Sequence, residues 1–239
     1  MIYIFDVNWT LTPPGHIIDK KFKKEFISFC EQNKVWLITG SDKNKTINQL
    51  GKETWLAASR VYQNNGNQLW IDNSIVRQSE WTLPSYLNEY LNLVVKKSLY
   101  PYKSGNHIEK RIGMVNFSVV GNDSEVKEKN HYYEWDSKYQ ERITIVRDIK
   151  ERFSSLDASL GGKLCIDIYE KGCDKGQVVK DLNGEKFTFF GDQLVSGGND
   201  YPVKKVTVDQ RLSGNIFHLV KSWKDTRDLL FNNSNKSII

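Results

Sequence analysis

The chain has 239 residues, 39% of them hydrophobic, long for one compact domain and sufficient for a core plus an insert. Its net charge of +5 comes from lysines and arginines interleaved with acids and unaccompanied by a recognition motif, which favours anionic small molecules over nucleic acid. No apolar run can span a bilayer, the N-terminus lacks a secretory pattern, and Cys30, Cys165 and Cys173 are odd in number without CxxC spacing. The expectation is a reducing, cytoplasmic setting with no membrane partner, disulfide framework or zinc site.

The apolar run Ile2-Tyr3-Ile4-Phe5 reads as a strand that ends at Asp6. Asp19 is positioned to cap a helix that buries Phe22, Phe26, Ile27 and Cys30, and residues 35–39 form the next strand, a βαβ start. A further helix opens after Thr39-Gly40-Ser41-Asp42, where small residues and a hydroxyl at a helix N-terminus make an anion-binding corner; Asp42 itself reads as an ordinary helix cap. Residues 62–66 lead into a hairpin-like stretch at 68–71. From residue 79 the pattern becomes α+β: a helix over 83–97, alternation over 107–119, a helix over 139–153 and a strand over 164–169. That block reads as an insert into a doubly wound α/β core. The core pattern resumes with a short helix after Asp174-Lys175-Gly176, a strand over 187–190 leading to Asp192, a short strand over 206–208 and a helix over 222–231, with a frayed tail at 232–239.

Two strand ends thus carry acids, Asp6 and Gly191-Asp192, the latter followed by the loop Gly197-Gly198-Asn199-Asp200. In open α/β sheets ligands bind outside the carboxyl ends of the strands, so both acids are expected at one place. An aspartate there can attack a phosphoryl group if a cation suppresses the repulsion between the two anions. Asp6, Asp192 and a main-chain carbonyl near Asn8 make a plausible Mg²⁺ set, with Asn199 and Asp200 nearby. Lys175 holds nucleophile and phosphate in register, and Ser41 donates to a phosphate oxygen. The four histidines lack ligand spacing.

The motifs Phe5-Asp6-Val7-Asn8-Trp9-Thr10-Leu11-Thr12, Thr39-Gly40-Ser41-Asp42 with Gln49-Leu50-Gly51, Asn65-Gly66, Ile108-Glu109 with Arg111 and Gly113-Met114, Gly172-Cys173-Asp174-Lys175, and Phe189-Phe190-Gly191-Asp192 through Asn199-Asp200 follow one another in this order. Over nearly the whole chain they resemble the haloacid dehalogenase (HAD) superfamily and, within it, the eukaryotic-type phosphomannomutases. The resemblance implies a HAD-like Rossmannoid core with a parallel sheet (1–78 and 172–239) and an inserted α+β cap (79–171). It also implies Mg²⁺, a homodimer formed through the cap, and interconversion of mannose 6-phosphate and mannose 1-phosphate.

Departures from the family pattern concentrate after Asp6. The family has a second Asp two residues on, which protonates the leaving sugar oxygen and deprotonates the incoming hydroxyl; here it is Asn8, and an amide cannot shuttle that proton. The next residue, normally Gly, is Trp9, an indole expected to crowd the phosphate pocket or shift the backbone. Of three cap arginines that grip the distal phosphate in the family, the alignment keeps Arg111 and puts Ser104 and Asn122 at the other two; Asp167 matches an Asp that binds sugar hydroxyls. The expectation is phosphomannomutase-like transfer through an aspartyl-phosphate, impaired or altered at Asn8. Its alternatives are a non-catalytic sugar-phosphate-binding relative and a HAD-type phosphatase on another phosphate ester.

Overall fold

The computed structural model describes residues 1–232; of the tail expected to fray, 233–239 lie outside the described residues. In chain order the first elements are β1 (Ile2–Phe5), α1 (Lys20–Gln32), β2 (Lys34–Ile38), α2 (Lys43–Leu50), α3 (Lys52–Ala57), β3 (Arg60–Gln63), β4 (Gln68–Ile71) and β5 (Ser74–Gln78). Asp19 caps α1 by accepting from the N–H groups of Lys21 and Phe22, each at 2.9 Å. Next come α4 (Ser85–Lys97), β6 (Ile108–Arg111), β7 (Met114–Phe117), α5 (Val126–Tyr139), α6 (Glu141–Arg152), β8 (Leu156–Gly161) and β9 (Cys165–Glu170). A 3-10 turn (Lys175–Asp181) leads to β10 (Phe187–Gly191), α7 (Tyr201–Asp209), β11 (Ile216–Leu219) and α8 (Trp223–Phe231).

The described residues divide into two compact units. One comprises Met1–Gln78, Lys175–Val195 and the chain from Asp200 onward. Its sheet runs β11-β10-β1-β2-β3-β4-β5, parallel from β11 to β3 and antiparallel at β4 and β5. Alternation along the strands feeds two cores: Phe5, Val35, Leu37 and Val61 pack with Phe22, Phe26 and Trp55 on one face, and Ile2, Ile4, Trp36 and Ile38 with Val178 and Val203 on the other. β1 is flanked by β2 on one side and β10 on the other, so the strand order reverses there and the carboxyl ends of β1 and β10 open a crevice.

The second unit holds Ser79–Asp174 and Ser196–Asn199. Its antiparallel sheet, β6-β7-β9-β8, buries Val115, Phe117, Ala158, Ile166 and Ile168 with Leu87, Leu91, Ile145 and Ile149 of the helices. The short segment 196–199 joins it through a bridge between Leu160 and Gly198.

The strand expected at 206–208 is a correction: these residues are part of α7. Val206-Thr207-Val208 is β-branched, but Pro202 stands in the first turn of the helix, Val203 and Thr207 are buried four residues apart, and the Thr207 hydroxyl donates to the Val203 carbonyl at 2.7 Å. The sequence reading misses α5, which buries only Tyr132 and Asp136, along with β8 and β11. No helix among the described residues is long and apolar enough to cross a membrane.

Candidate active site

β1 and β10 pair in register, Phe5 opposite Phe190, and the Asp6 N–H donates to the Phe190 carbonyl at 2.9 Å. Asp6 therefore stands one step beyond β1 beside the end of β10. Lys175, the first residue of the 3-10 turn, extends its ammonium to Asp6 Oδ1 and to Asp200 Oδ1, 2.6 Å from each. All three side chains are shut from water, with relative exposures of 1% for Lys175, 4% for Asp6 and 0% for Asp200. Asp200 Oδ2 accepts from the Gln193 N–H at 3.0 Å, and Asp192 Oδ2 accepts from Gln193 Nε2 at 2.9 Å. Gly191 allows this approach: a Cβ there would lie 2.6 Å from Asp200 Oδ2 and 2.6 Å from the Phe189 ring.

Asp6, Asp192 and Asp200 each offer an oxygen, and these lie within 4.8 Å of one another. Three carboxylates face one ammonium, so full ionisation leaves two uncompensated negative charges. Burial, with the Asp200 and Asp192 charges, pushes the Asp6 carboxyl up to about 8 against the pull of Lys175. Burial and Asp200 likewise push Asp192 up to about 6. Burial acts to lower Lys175, yet the Asp200 and Asp6 carboxylates outweigh it and hold the ammonium above its usual value. An all-oxygen set with this charge deficit suits a hard divalent cation such as Mg²⁺ and lacks the thiolate or imidazole of a typical zinc site.

The segment after Asp6 turns back on itself. The N–H groups of Leu11 and Thr12 donate to the Val7 carbonyl, and the Thr226 hydroxyl fastens the Thr10 carbonyl at 2.7 Å. Thr10 Oγ1 lies 3.5 Å from Asp6 Oδ2. Asn8 Oδ1 accepts from Gln49 Nε2 at 3.0 Å. Trp9 sits at φ 62°, in the left-handed region that costs a side-chain-bearing residue about 1–2 kcal/mol.

Ser41 lies beyond the end of β2, next to β1 in the sheet. Its N–H donates to Thr39 Oγ1 at 3.1 Å, and its carbonyl accepts from the Asn64 N–H at 3.1 Å. Asp42 is the helix cap expected of it, accepting from the Lys45 N–H at 2.8 Å.

Within the second unit, cross-strand register pairs Asn116 with Asp167 and Asp167 with Ser159, and Asn116 Nδ2 donates to Asp167 Oδ1 at 2.7 Å. Arg111 grips Glu109 through a fork, Nε to Oε1 at 3.2 Å and Nη2 to Oε2 at 2.9 Å. Ser104 donates to Glu128 Oε2 at 3.1 Å, and Asn122 Oδ1 accepts from the Cys165 thiol at 3.4 Å. Asn199, expected near the metal, is grouped with this unit and has a buried Oδ1 without a hydrogen bond.

The structure thus brings Asp6, Lys175, Asp192 and Asp200 together, and adds Thr10, Gln49 and Gln193, none of which the sequence reading ranks as site residues. The Glu109–Arg111 fork had a signal, since residues two apart on a strand share a face.

A family profile described as eukaryotic phosphomannomutase matches residues 22–234, beginning downstream of Asp6, Asn8 and Trp9. Phosphomannomutase 1 of Dictyostelium discoideum is 29% identical over 241 residues, covering 96% of this chain and 94% of its own. Phosphomannomutase 2 of the same organism is 31% identical over 214 residues, 84% and 86% of the two chains. Among solved structures, a HAD subclass IIB sugar phosphatase superposes with a TM-score of 0.58 at 14% identity, over 97% of this chain and 98% of that one, a likeness of fold.

Proposed function

The chain belongs to the eukaryotic phosphomannomutase family of the HAD superfamily, and from that premise we propose that it transfers a phosphoryl group on hexose phosphates of the mannose 1-phosphate/mannose 6-phosphate type through an aspartyl-phosphate on Asp6. Supporting this most directly is the buried Lys175 ammonium shared by Asp6 and Asp200 with Asp192 alongside. An isolated strand-end turn has no use for a lysine held out of water between two acids.

In this reading residues 1–78 and 172–239 form the catalytic core, and 79–171 the cap through which two copies associate, in a cytoplasmic setting. Lys175 and Thr10 fix the Asp6 carboxylate, and the Ser41 hydroxyl donates to a phosphate oxygen. Asp6, Asp192, Asp200, Asn199 and the Asn8 carbonyl are the oxygens that would hold Mg²⁺, which when bound offsets the repulsion between carboxylate and phosphate. Arg111 and Asp167 receive the sugar phosphate in the cap, and Trp9 flanks the phosphate. Asn8, whose Oδ1 accepts from Gln49, moves no proton, so transfer to and from sugar oxygens is slowed by roughly 10² to 10⁴-fold relative to an acid at that position.

The test is ³¹P NMR with Mg²⁺, mannose 1-phosphate, glucose 1-phosphate and a hexose bisphosphate primer. Slow appearance of 6-phosphates, absent in Asp6→Asn, is the expected result; release of inorganic phosphate instead would make the protein a phosphatase. A second reading, a non-catalytic sugar-phosphate binder, draws support from Asn8 together with Ser104 and Asn122, which lack guanidinium groups. It requires calorimetric binding of sugar phosphate with Mg²⁺ that Asp192→Ala abolishes, with an unchanged ³¹P spectrum.

A further inference from the structure

The ionisable side chains gathered around Asp6 are committed to one another. The Lys175 ammonium is divided between Asp6 and Asp200, the second Asp200 oxygen accepts from the Gln193 N–H, and Asp192 accepts from the Gln193 amide. The segment that follows the nucleophile, Val7-Asn8-Trp9-Thr10-Leu11-Thr12, contains no group that titrates near neutrality. Asn8 presents its oxygen to Gln49 Nε2 at 3.0 Å, and its amide cannot release a proton near neutral pH. Beside Asp6, segment 7–12 therefore offers hydrogen bonds but no residue that protonates a departing oxygen.

These two facts select among phosphate compounds by what must leave. An alkyl phosphate, such as a sugar phosphate, expels an alkoxide that needs a proton as the bond breaks. An acyl phosphate expels a carboxylate, which departs with the bonding pair and needs none.

We propose that Asp6 is loaded most readily by acyl phosphates, and that the aspartyl-phosphate so formed persists. The inference rests on Asp6 as the nucleophile proposed above. In the step, an Asp6 carboxylate oxygen forms a bond to phosphorus while the bond from phosphorus to the acyl oxygen breaks, and the carboxylate product leaves as its anion with no proton transferred. Persistence has the same origin, because water attacking the aspartyl-phosphate must lose a proton and the segment 7–12 offers no base to take it. The chain would then serve as an acceptor and store of a phosphoryl group supplied by reactions that make acyl phosphates.

The experiment incubates the full chain and Mg²⁺ with acetyl phosphate, mannose 1-phosphate or a hexose bisphosphate, and follows intact mass with time. One phosphoryl group per chain from acetyl phosphate is expected, removable by hydroxylamine, absent in Asp6→Asn, and added roughly 10²-fold or more faster than from either sugar phosphate. Asn8→Asp, shown to be folded by circular dichroism, is expected to narrow that ratio and shorten the life of the adduct by a similar factor. Labelling by the hexose bisphosphate as fast as by acetyl phosphate overturns the selectivity and leaves the mutase-like reading standing. So does labelling by the bisphosphate alone. An adduct that survives in Asp6→Asn overturns the inference by placing the phosphoryl group elsewhere. Absence of label from every donor overturns both the inference and the nucleophile it rests on.

Discussion

The ends of β1 and β10 lie side by side in register yet carry different kinds of information. Beyond β10, Gly191 leaves room for Asp200, and Gln193 holds both Asp192 and Asp200, so this side is a framework of positioned carboxyl groups. Beyond β1, Asp6 is bound into that framework by Lys175, while two and three residues on stand an amide, Asn8, and a tryptophan kept at φ 62°. The difference teaches that holding a phosphoryl group and handling its protons are separable tasks, placed on neighbouring strand ends. In the proposed reading the first is built into this chain and the second is not.

The largest blow to the framework is Lys175→Met. It leaves Asp6 and Asp200 buried without their counter-charge, and the expected loss is about 3–5 kcal/mol, read by urea denaturation. A loss below about 1 kcal/mol would mean that the acids do not depend on the lysine. Next, Asn8→Asp with Trp9→Gly supplies the β1 side with a proton carrier and relieves the left-handed tryptophan. Turnover of hexose phosphates should rise roughly 10² to 10⁴-fold, and no gain in the double variant would remove proton handling as the distinction between the two ends.

A smaller effect is expected for Gly191→Ala, whose Cβ would meet Asp200 and the Phe189 ring. Overpacking should cost about 1–3 kcal/mol and weaken cation binding measured by calorimetry. An unchanged midpoint and affinity would show that Asp200 can move aside.

The smallest effect concerns the far end of the turn that carries Lys175. Burial would raise Asp181, but hydrogen bonds from Arg77 and Tyr62 outweigh it and hold the carboxyl below its ordinary 3.8. A depressed folded value means that the unfolded chain binds more protons. The contribution is therefore complete above 3.8 and lost as pH falls through the folded value. Asp181→Asn should cost under about 1 kcal/mol at neutral pH and progressively less in acid. A gap that widens in acid would reverse the sign.

Strand-end acids were legible in the sequence because an apolar run that stops at a carboxylate marks both the strand and its exit. The pairing of Lys175 with Asp6 was legible through the order of motifs. The Gln49–Asn8 contact was not, because it joins residues 41 apart in sequence through a loop and a helix face. Nor was the Asn116–Asp167 pair, which depends on strand register that alternating residues alone do not fix. In α7 and α5 the local signals misled for opposite reasons: β-branched residues lie in a helix stapled by a first-turn proline, and α5 has too few apolar residues to display a helical stripe.

The most direct measurement is ¹⁹F NMR of the protein with Mg²⁺ and beryllium fluoride, which mimics a phosphoryl group on a carboxylate and requires no proton donor. The account predicts a protein-bound fluoride signal that is equally strong in Asn8→Asp and lost in Asp6→Asn and Asp192→Ala. A wild-type protein without that signal, or a signal indifferent to Asp6, would contradict it.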